Sequence, residues 1–109
     1  LILTDLYDAY GMMQTQISDE YVLLCSKQLK ADGWLVFNCW GNSDDHPELF
    51  DKLAKSFADV RSCESGDGNL VIFAGKQKDT KAHSQLKTLA AKLGTSLGFD
   101  LQRFMTKLQ

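Results

Sequence analysis

Two aspartates and a tyrosine stand close together near the start of the sequence, at Asp5, Tyr7 and Asp8. They follow Leu1 to Thr4, an apolar and β-branched run that predicts a strand covered on both faces, as in a parallel sheet. In open α/β sheets the ligand crevice lies outside the carboxyl ends of the strands. Carboxylates there are candidates for chemistry and not only for solubility, and the alternative is that both aspartates only cap a turn.

A second candidate group ends the next predicted strand, Trp34 to Trp40. This run has no polar alternation, so it predicts a central, buried strand. Asn38 is its one amide, and a buried amide requires a hydrogen-bond partner, either a neighbouring loop or a ligand. The loop that follows contributes Asp44 and Asp45 to the same edge of the sheet as Asp5.

Two helices and a hairpin must position these residues. Ser18 predicts a capped helix start, with the helix running to about Ala31 and Gly33 closing it in the left-handed conformation. Pro47 predicts the first turn of the next helix, capped by Asp45 or His46. Two strands, 59–65 and 69–76, joined by a Gly-Asp-Gly turn, predict an antiparallel hairpin whose first strand is an edge strand and whose second lies inside the sheet.

The last third of the chain predicts two helices. The first begins at Asp79 or Thr80 and ends at Gly94, with four apolar residues on one face: Leu86, Leu89, Ala90 and Leu93. A short second helix begins near Phe99 or Asp100. Such a pair packs either on its own sheet or against a second copy of the chain, so a homodimer stays an open alternative.

The 109 residues are 44% hydrophobic and suit one modest domain. Because the sequence opens inside an apparent core strand, we expect it to be a piece of a longer protein. Membrane contact is not expected, since no run approaches the ~20 apolar residues of a membrane helix. Three widely spaced cysteines without metal-ligand spacing predict buried thiols in a reducing, cytoplasmic compartment and no metal site.

The net charge of −2 is unevenly distributed. Residues 1–75 carry 5 basic and 12 acidic side chains, whereas residues 76–109 carry 7 basic and 2 acidic ones. The basic side chains of the tail are spread along helical polar faces without stacking aromatics, so we expect no nucleic-acid partner.

Local motifs resemble the spermidine synthase family, the aminopropyltransferases and their relatives. In that family a strand ends in Asp-Ser-x-Asp-Pro, a later helix opens with Thr-Glu-Glu-Phe-Tyr, and a Lys-Pro-Gly-Gly turn leads into the next strand. The corresponding stretches here are Asp5-Leu6-Tyr7-Asp8-Ala9, Ser18-Asp19-Glu20-Tyr21-Val22 and Lys30-Ala31-Asp32-Gly33. The resemblance covers about residues 1–77, with residues 78–109 as a carboxyl-terminal helical extension.

The resemblance implies an α/β fold: the carboxyl-terminal half of a Rossmann-like class I methyltransferase fold, with strand, helix, strand, helix and β-hairpin, plus the two terminal helices. It implies that Asp5 is catalytic, because it matches the family aspartate that holds and deprotonates an attacking amine. The substrate-binding residues would be Asp8, Tyr7, Asn38 and Trp40.

The same resemblance implies a cytoplasmic transferase of polyamine biosynthesis acting on a small amine, with decarboxylated S-adenosylmethionine as co-substrate of the parent protein. The glycine-rich loop that would hold this co-substrate is not in the sequence. We therefore expect the fragment alone to bind it poorly and to be inactive. Leu6, Ala9 and Trp40 depart from the family pattern, so methyl transfer from S-adenosylmethionine and a non-catalytic assembly module are the alternatives.

Overall fold

A computed structural model describes residues 1–5, 7–8, 10–12 and 17–109 of the chain, with the side chains of Asp8 and Met12 outside that description. The strands are β1 (Ile2–Thr4), β2 (Tyr7–Asp8), β3 (Gly11–Met12), β4 (Trp34–Trp40), β5 (Asp59–Glu64) and β6 (Asn69–Gly75). The α-helices are α1 (Asp19–Gln28), α2 (Pro47–Ser56) and α3 (His83–Leu97). Two 3₁₀ helices, Ser43–Asp45 and Gln102–Lys107, complete the described elements.

A mixed four-stranded sheet in the order β1-β4-β6-β5 forms the centre of the molecule. β1 runs parallel to β4, with Thr4 opposite Phe37. β6 is antiparallel to both of its neighbours. The predicted α/β class is therefore confirmed at this level, as are the edge position of β5 and the inner position of β6.

One face of the sheet carries the core. Alternate residues of β4 and β6 point to this face, because successive side chains of a strand project to opposite sides. They pack against the apolar sides of α1 and α2, and the core cluster consists of Val22, Cys25, Leu29, Leu35, Phe37, Cys39, Leu49, Leu53, Phe57, Leu70, Ile72 and Ala74. Both crossover helices thus cover the same face.

The helix starts follow the sequence signals. The Ser18 hydroxyl accepts a hydrogen bond from the Tyr21 N–H at 3.1 Å, and this contact caps α1. Pro47 is the first residue of α2, where its missing N–H costs nothing. α1 ends at Gln28, earlier than predicted, and the expected left-handed closure at Gly33 is wrong, since Gly33 has no positive φ.

The prediction that the first strand is covered on both faces is wrong. The side chains of Leu1 and Leu3 are 79% and 70% exposed, whereas Thr4 on the opposite face is buried. α1 and α2 lie on one face only, and the terminal helices lie near residues of β4, β5 and β6 on the other face. β4 is central as predicted, but only its alternate residues Leu35, Phe37 and Cys39 are fully buried.

The carboxyl end of the chain pairs with the outer edge of β5. The backbone of Gln109 exchanges two hydrogen bonds with Ser62, at 2.7 and 2.9 Å, and Leu108 forms a bridge with Cys63. The terminal segment therefore covers the edge that β5 would otherwise leave open to pairing with another chain.

Helix α3 begins at His83, later than the predicted Asp79 or Thr80. Asp79 is held elsewhere: its N–H donates to the Asp59 carboxylate at 2.9 Å, and its carbonyl accepts from Arg61 at 3.0 Å. These bonds tie residue 79 to β5, so the chain remains non-helical until it has left the sheet.

The end of α3 also differs from the prediction. The helix continues through Gly94 to Leu97, and Gly98 closes it with φ of 79°. Gly94 serves a close approach instead, because a Cβ at this position would lie 2.6 Å from the Phe99 carbonyl oxygen. The short last helix is a 3₁₀ helix. None of the helices in the described part of the chain is long and apolar enough to cross a membrane.

Candidate functional site

The carboxyl ends of β1 and β4 bring Asp5 and Asn38 together. Because Thr4 lies opposite Phe37 in the parallel pairing, the next residue of each strand meets the other at the same edge. The Asn38 side-chain amide donates to Asp5 Oδ1 at 3.1 Å. The amide predicted to need a partner finds it in the predicted catalytic carboxylate, which remains exposed to solvent.

Tyr7 completes the end of the sheet. β1 stops at Thr4, so the Asn38 carbonyl has no β1 partner, and the Tyr7 hydroxyl donates to it at 2.6 Å. Burial is the main cause that raises the pKa of Tyr7, followed by the neighbouring Cys39 thiol and, more weakly, by the Asp5 charge. Tyr7 therefore remains a protonated donor at neutral pH.

The Tyr7 ring stacks on the indole of Trp40. The ring centroids are 4.4 Å apart and the planes are inclined by 17°. Trp40 is the last residue of β4, and 56% of it is exposed. The pair is thus an aromatic surface at the edge that carries Asp5. Asp5, Tyr7, Asn38 and Trp40 are named hereafter the strand-end cluster.

Asp8 was predicted to be the second substrate carboxylate. Its backbone pairs with Gly11 in the β2–β3 hairpin, but its side chain lies outside the described part of the structure. Leu6 and Ala9, two of the departures from the family motif, also lie outside the described residues. The hairpin places Tyr10 at an almost fully exposed position between the two strands.

A buried thiol lies directly behind the strand-end cluster. Cys39 is 0% exposed on the core face of β4. Burial, and then the negative charge of Asp5, raise the pKa of Cys39 to about 11. The thiol therefore stays protonated at neutral pH, and it is not a nucleophile there because the thiolate is the reactive form.

The loop after β4 is organised by its own side chains. The Asn42 N–H donates to Asp45 Oδ2 at 2.9 Å, while the Asn42 side chain accepts from the Asp44 N–H. Asp45 therefore helps to hold the loop, and both Asp44 and Asp45 remain exposed to solvent. At Gly41, φ is 89° and a Cβ would collide with the Asp45 carboxylate.

His46 has a role that the sequence did not predict. It begins α2 as the cap residue, but its side chain makes no capping bond. Its Nε2 lies 2.6 Å from the Trp40 carbonyl oxygen. Since a carbonyl only accepts, Nε2 carries the proton and donates. The imidazole thus fixes the end of β4 that presents Trp40, a contact across a loop that no motif or spacing indicates.

The arrangement combines an exposed carboxylate with an aromatic surface. Both attract cations, the carboxylate by its charge and the rings through their quadrupole. A carboxylate beside a bound ammonium is also placed to accept its proton. Among the residues that the structure describes, no group of three potential ligands is arranged to hold a metal ion.

Comparison with known proteins assigns no function to this site. No protein-family model, no curated protein and no solved structure matches the chain.

Proposed function

We propose that the strand-end cluster is the amine-binding side of a transferase in which Asp5 binds an ammonium group and accepts its proton. The observation that carries this proposal is the Asp5 carboxylate, oriented by Asn38 and placed beside the stacked Tyr7 and Trp40 rings. An amine nitrogen attacks only after losing a proton, so a carboxylate that both attracts and deprotonates it meets the first requirement of amine alkylation.

The strand order supports an origin of this site in a methyltransferase-like fold. In the order β1-β4-β6-β5, the first two strands are parallel and the inner hairpin strand is reversed. That is the layout we expect of the carboxyl-terminal half of a Rossmann-like methyltransferase fold. The strand-end cluster then lies at the carboxyl ends of parallel strands, where ligands bind in open α/β sheets.

The parent activity that fits this site best is aminopropyl transfer to a small amine in the cytoplasm. Decarboxylated S-adenosylmethionine would supply the electrophilic carbon next to its sulfonium. In this chain, Asp5 would hold and deprotonate the amine, Asn38 would keep the carboxylate oriented, and the Tyr7–Trp40 pair would lie against the cationic chain. The described residues include no glycine-rich phosphate or ribose cradle, so the proposal assigns this chain only the amine side.

Methyl transfer from S-adenosylmethionine is the second candidate, and the observation that favours it is Trp40. Its indole, stacked on Tyr7, fills space beside Asp5 and narrows the room for a long acceptor. The two reactions differ in the group added, so the mass of the product formed by a longer protein containing this chain separates them.

Amine binding by the chain itself tests the proposal. An exposed carboxylate and an aromatic face each contribute about 0.5–1 kcal/mol, so we expect weak binding of putrescine, with a dissociation constant on the order of 0.1 M. In a nuclear magnetic resonance titration at low salt, putrescine should shift the Trp40 indole N–H signal. Asp5→Asn should weaken binding about three- to fivefold, because the amide keeps the contact with Asn38 but loses the charge.

Asp44→Asn is the matched control, since it removes the same charge from an exposed position in the adjacent loop. It should leave the affinity within about twofold. Equal weakening by both variants would mean that putrescine senses only the net charge of the acidic body. Unchanged binding by Asp5→Asn, or shifts that leave Trp40 untouched, would contradict the assignment and favour a non-catalytic module.

A further inference from the structure

An apolar cavity of about 410 Å³ lies between the sheet and the two terminal helices. Its floor is the sheet face opposite the core, with Trp34 and Phe73. Its other walls are α3 and the terminal segment, which contributes Leu101, Phe104, Met105 and Leu108. The α3 wall consists of the predicted apolar face, Leu86, Leu89, Ala90 and Leu93.

The terminal segment that forms one wall of this cavity is anchored to the sheet. The backbone pairing of Gln109 with Ser62 anchors its end to β5. The Cys63 thiol also approaches the Phe104 carbonyl, at 3.9 Å. Since the wall is bonded to the sheet, the cavity is largely preformed, as small-molecule sites usually are.

The lining selects against charged and highly polar ligands. Nearly all of it is carbon and sulfur, and a polar ligand atom placed there would lose its hydrogen bonds to water without replacement. Two charged residues lie at the border, Arg61 and Asp79, and both are already paired: Arg61 Nε and Nη2 donate to the two Asp59 oxygens at 2.9 and 2.8 Å, and Lys81 Nζ donates to Asp79 Oδ1 at 3.3 Å. A ligand carboxylate would have to compete with this bidentate contact.

The size and the aromatic content narrow the ligand class further. An apolar cavity of roughly 150 Å³ holds one benzene ring, so this cavity has room for two or more rings. Three aromatic side chains line it, Trp34, Phe73 and Phe104, together with the thioether of Met105. Aromatic rings and thioethers both contact aromatic ligands favourably.

We propose that this cavity is a binding site for a neutral, mainly aromatic small molecule of two or three rings. It is separate from the strand-end cluster, because Trp34 and Trp40 stand at opposite ends of β4, roughly 20 Å apart at the rise of a strand. The proposal therefore stands whether or not the cluster binds amines.

A matched pair of fluorescent probes tests it. N-phenyl-1-naphthylamine is neutral, and 1-anilinonaphthalene-8-sulfonate has the same ring skeleton with one negative charge. We expect the neutral probe to bind saturably and one-to-one, with a dissociation constant of about 0.1 mM, and the sulfonate to bind more weakly. Tighter binding of the sulfonate, or no saturable binding of the neutral probe, would overturn the proposal.

Two variants locate the site. Ala90→Phe fills the cavity from the α3 wall and should lower the affinity for the neutral probe at least about tenfold, whereas Thr88→Phe, which adds the same ring on the exposed side of α3, should leave it within about twofold. If Ala90→Phe fails to fold, Leu89→Asp places a charge at a lining position that is 48% exposed and should also weaken binding. Equal affinities in all of these proteins would refute the site.

A second copy of the chain is the competing occupant. Sedimentation velocity over a concentration series distinguishes the two, because a self-associating face would lose probe binding as dimers form. We expect probe affinity to be independent of protein concentration, and a loss of binding that tracks dimer formation would overturn the small-molecule assignment.

Discussion

The two faces of the sheet are built from alternate residues of the same strands, yet they differ in solvent exposure and in packing. On the face beneath α1 and α2, Leu35, Phe37 and Ile72 are 0% exposed. On the other face, Leu3 and Trp40 are 70% and 56% exposed, and an apolar cavity separates the sheet from α3. The packed face supplies the core, and the open face carries both candidate binding sites.

The two faces of β4 therefore have different roles. Phe37 and Cys39 point into the core, while Trp34, Asn38 and Trp40 point to the open face. A continuous apolar sequence is therefore compatible with two different surroundings. Because the strand is anchored from one side, the residues on its other side are less constrained by packing and are available for ligands.

Truncating a side chain on each face of β4 gives the largest contrast. Phe37→Ala leaves a cavity in the packed face and should lower the free energy of unfolding by about 3–5 kcal/mol. Val36→Ala, the neighbouring residue on the half-buried face, should cost only about 1 kcal/mol. Urea denaturation followed by circular dichroism measures both values. Similar losses would show that the open face contributes to the core as much as the packed face does.

The ion pair at the border of the cavity gives a smaller effect with a defined pH dependence. Hydrogen bonds from Arg61 are the main cause that lowers the pKa of Asp59, whose side chain is 8% exposed. A carboxylate with a lowered pKa stabilises the folded state above its ordinary pKa of about 4, and this contribution is lost as the pH falls through the lowered value.

Asp59→Asn should therefore cost about 2 kcal/mol at pH 7, less than a fully buried pair because Arg61 is 20% exposed. The cost should shrink as the pH falls below about 4, where Asp59 becomes protonated in the unfolded chain, and should be lost once the pH has passed the lowered pKa of the folded state. Denaturation curves at several pH values measure it, and Asp67→Asn in the exposed hairpin turn is the control. A cost that does not change with pH would show that Asp59 acts through packing and hydrogen bonds rather than charge.

The sequence predicted the packed half of this molecule better than the open half. Ser18, Pro47 and the Gly-Asp-Gly turn marked element starts and the hairpin correctly, because capping and turn chemistry depend on neighbouring residues. The exposure of Leu3 could not be predicted, since an apolar strand residue does not show which helices cover it. The late start of α3 depended on two hydrogen bonds with residues about 20 positions away: the Asp79 N–H donates to Asp59, and the Asp79 carbonyl accepts from Arg61.

The candidate site likewise has features that the sequence predicted and features that it did not. The pattern of elements placed Asp5 and Asn38 at the same edge of the sheet, but it left the partner of Asn38 open between a neighbouring loop and a ligand. The bonds of Tyr7 to the Asn38 carbonyl and of His46 to the Trp40 carbonyl did not follow, because each fills a vacancy that only the end of β1 and the path of the loop create.

The smallest expected effect comes from the hydrogen bond that the Tyr7 hydroxyl donates to the Asn38 carbonyl, near the end of β4. Tyr7→Phe removes the hydroxyl that donates to Asn38 but keeps the ring on Trp40, so the stability should fall by about 1 kcal/mol. The Trp40 fluorescence, isolated by Trp34→Phe in both proteins, should become more accessible to acrylamide because the ring pair loses its anchor. A stability loss without a change in quenching would mean that the stack positions Trp40 unaided, and the aromatic surface would then not depend on Tyr7's hydroxyl.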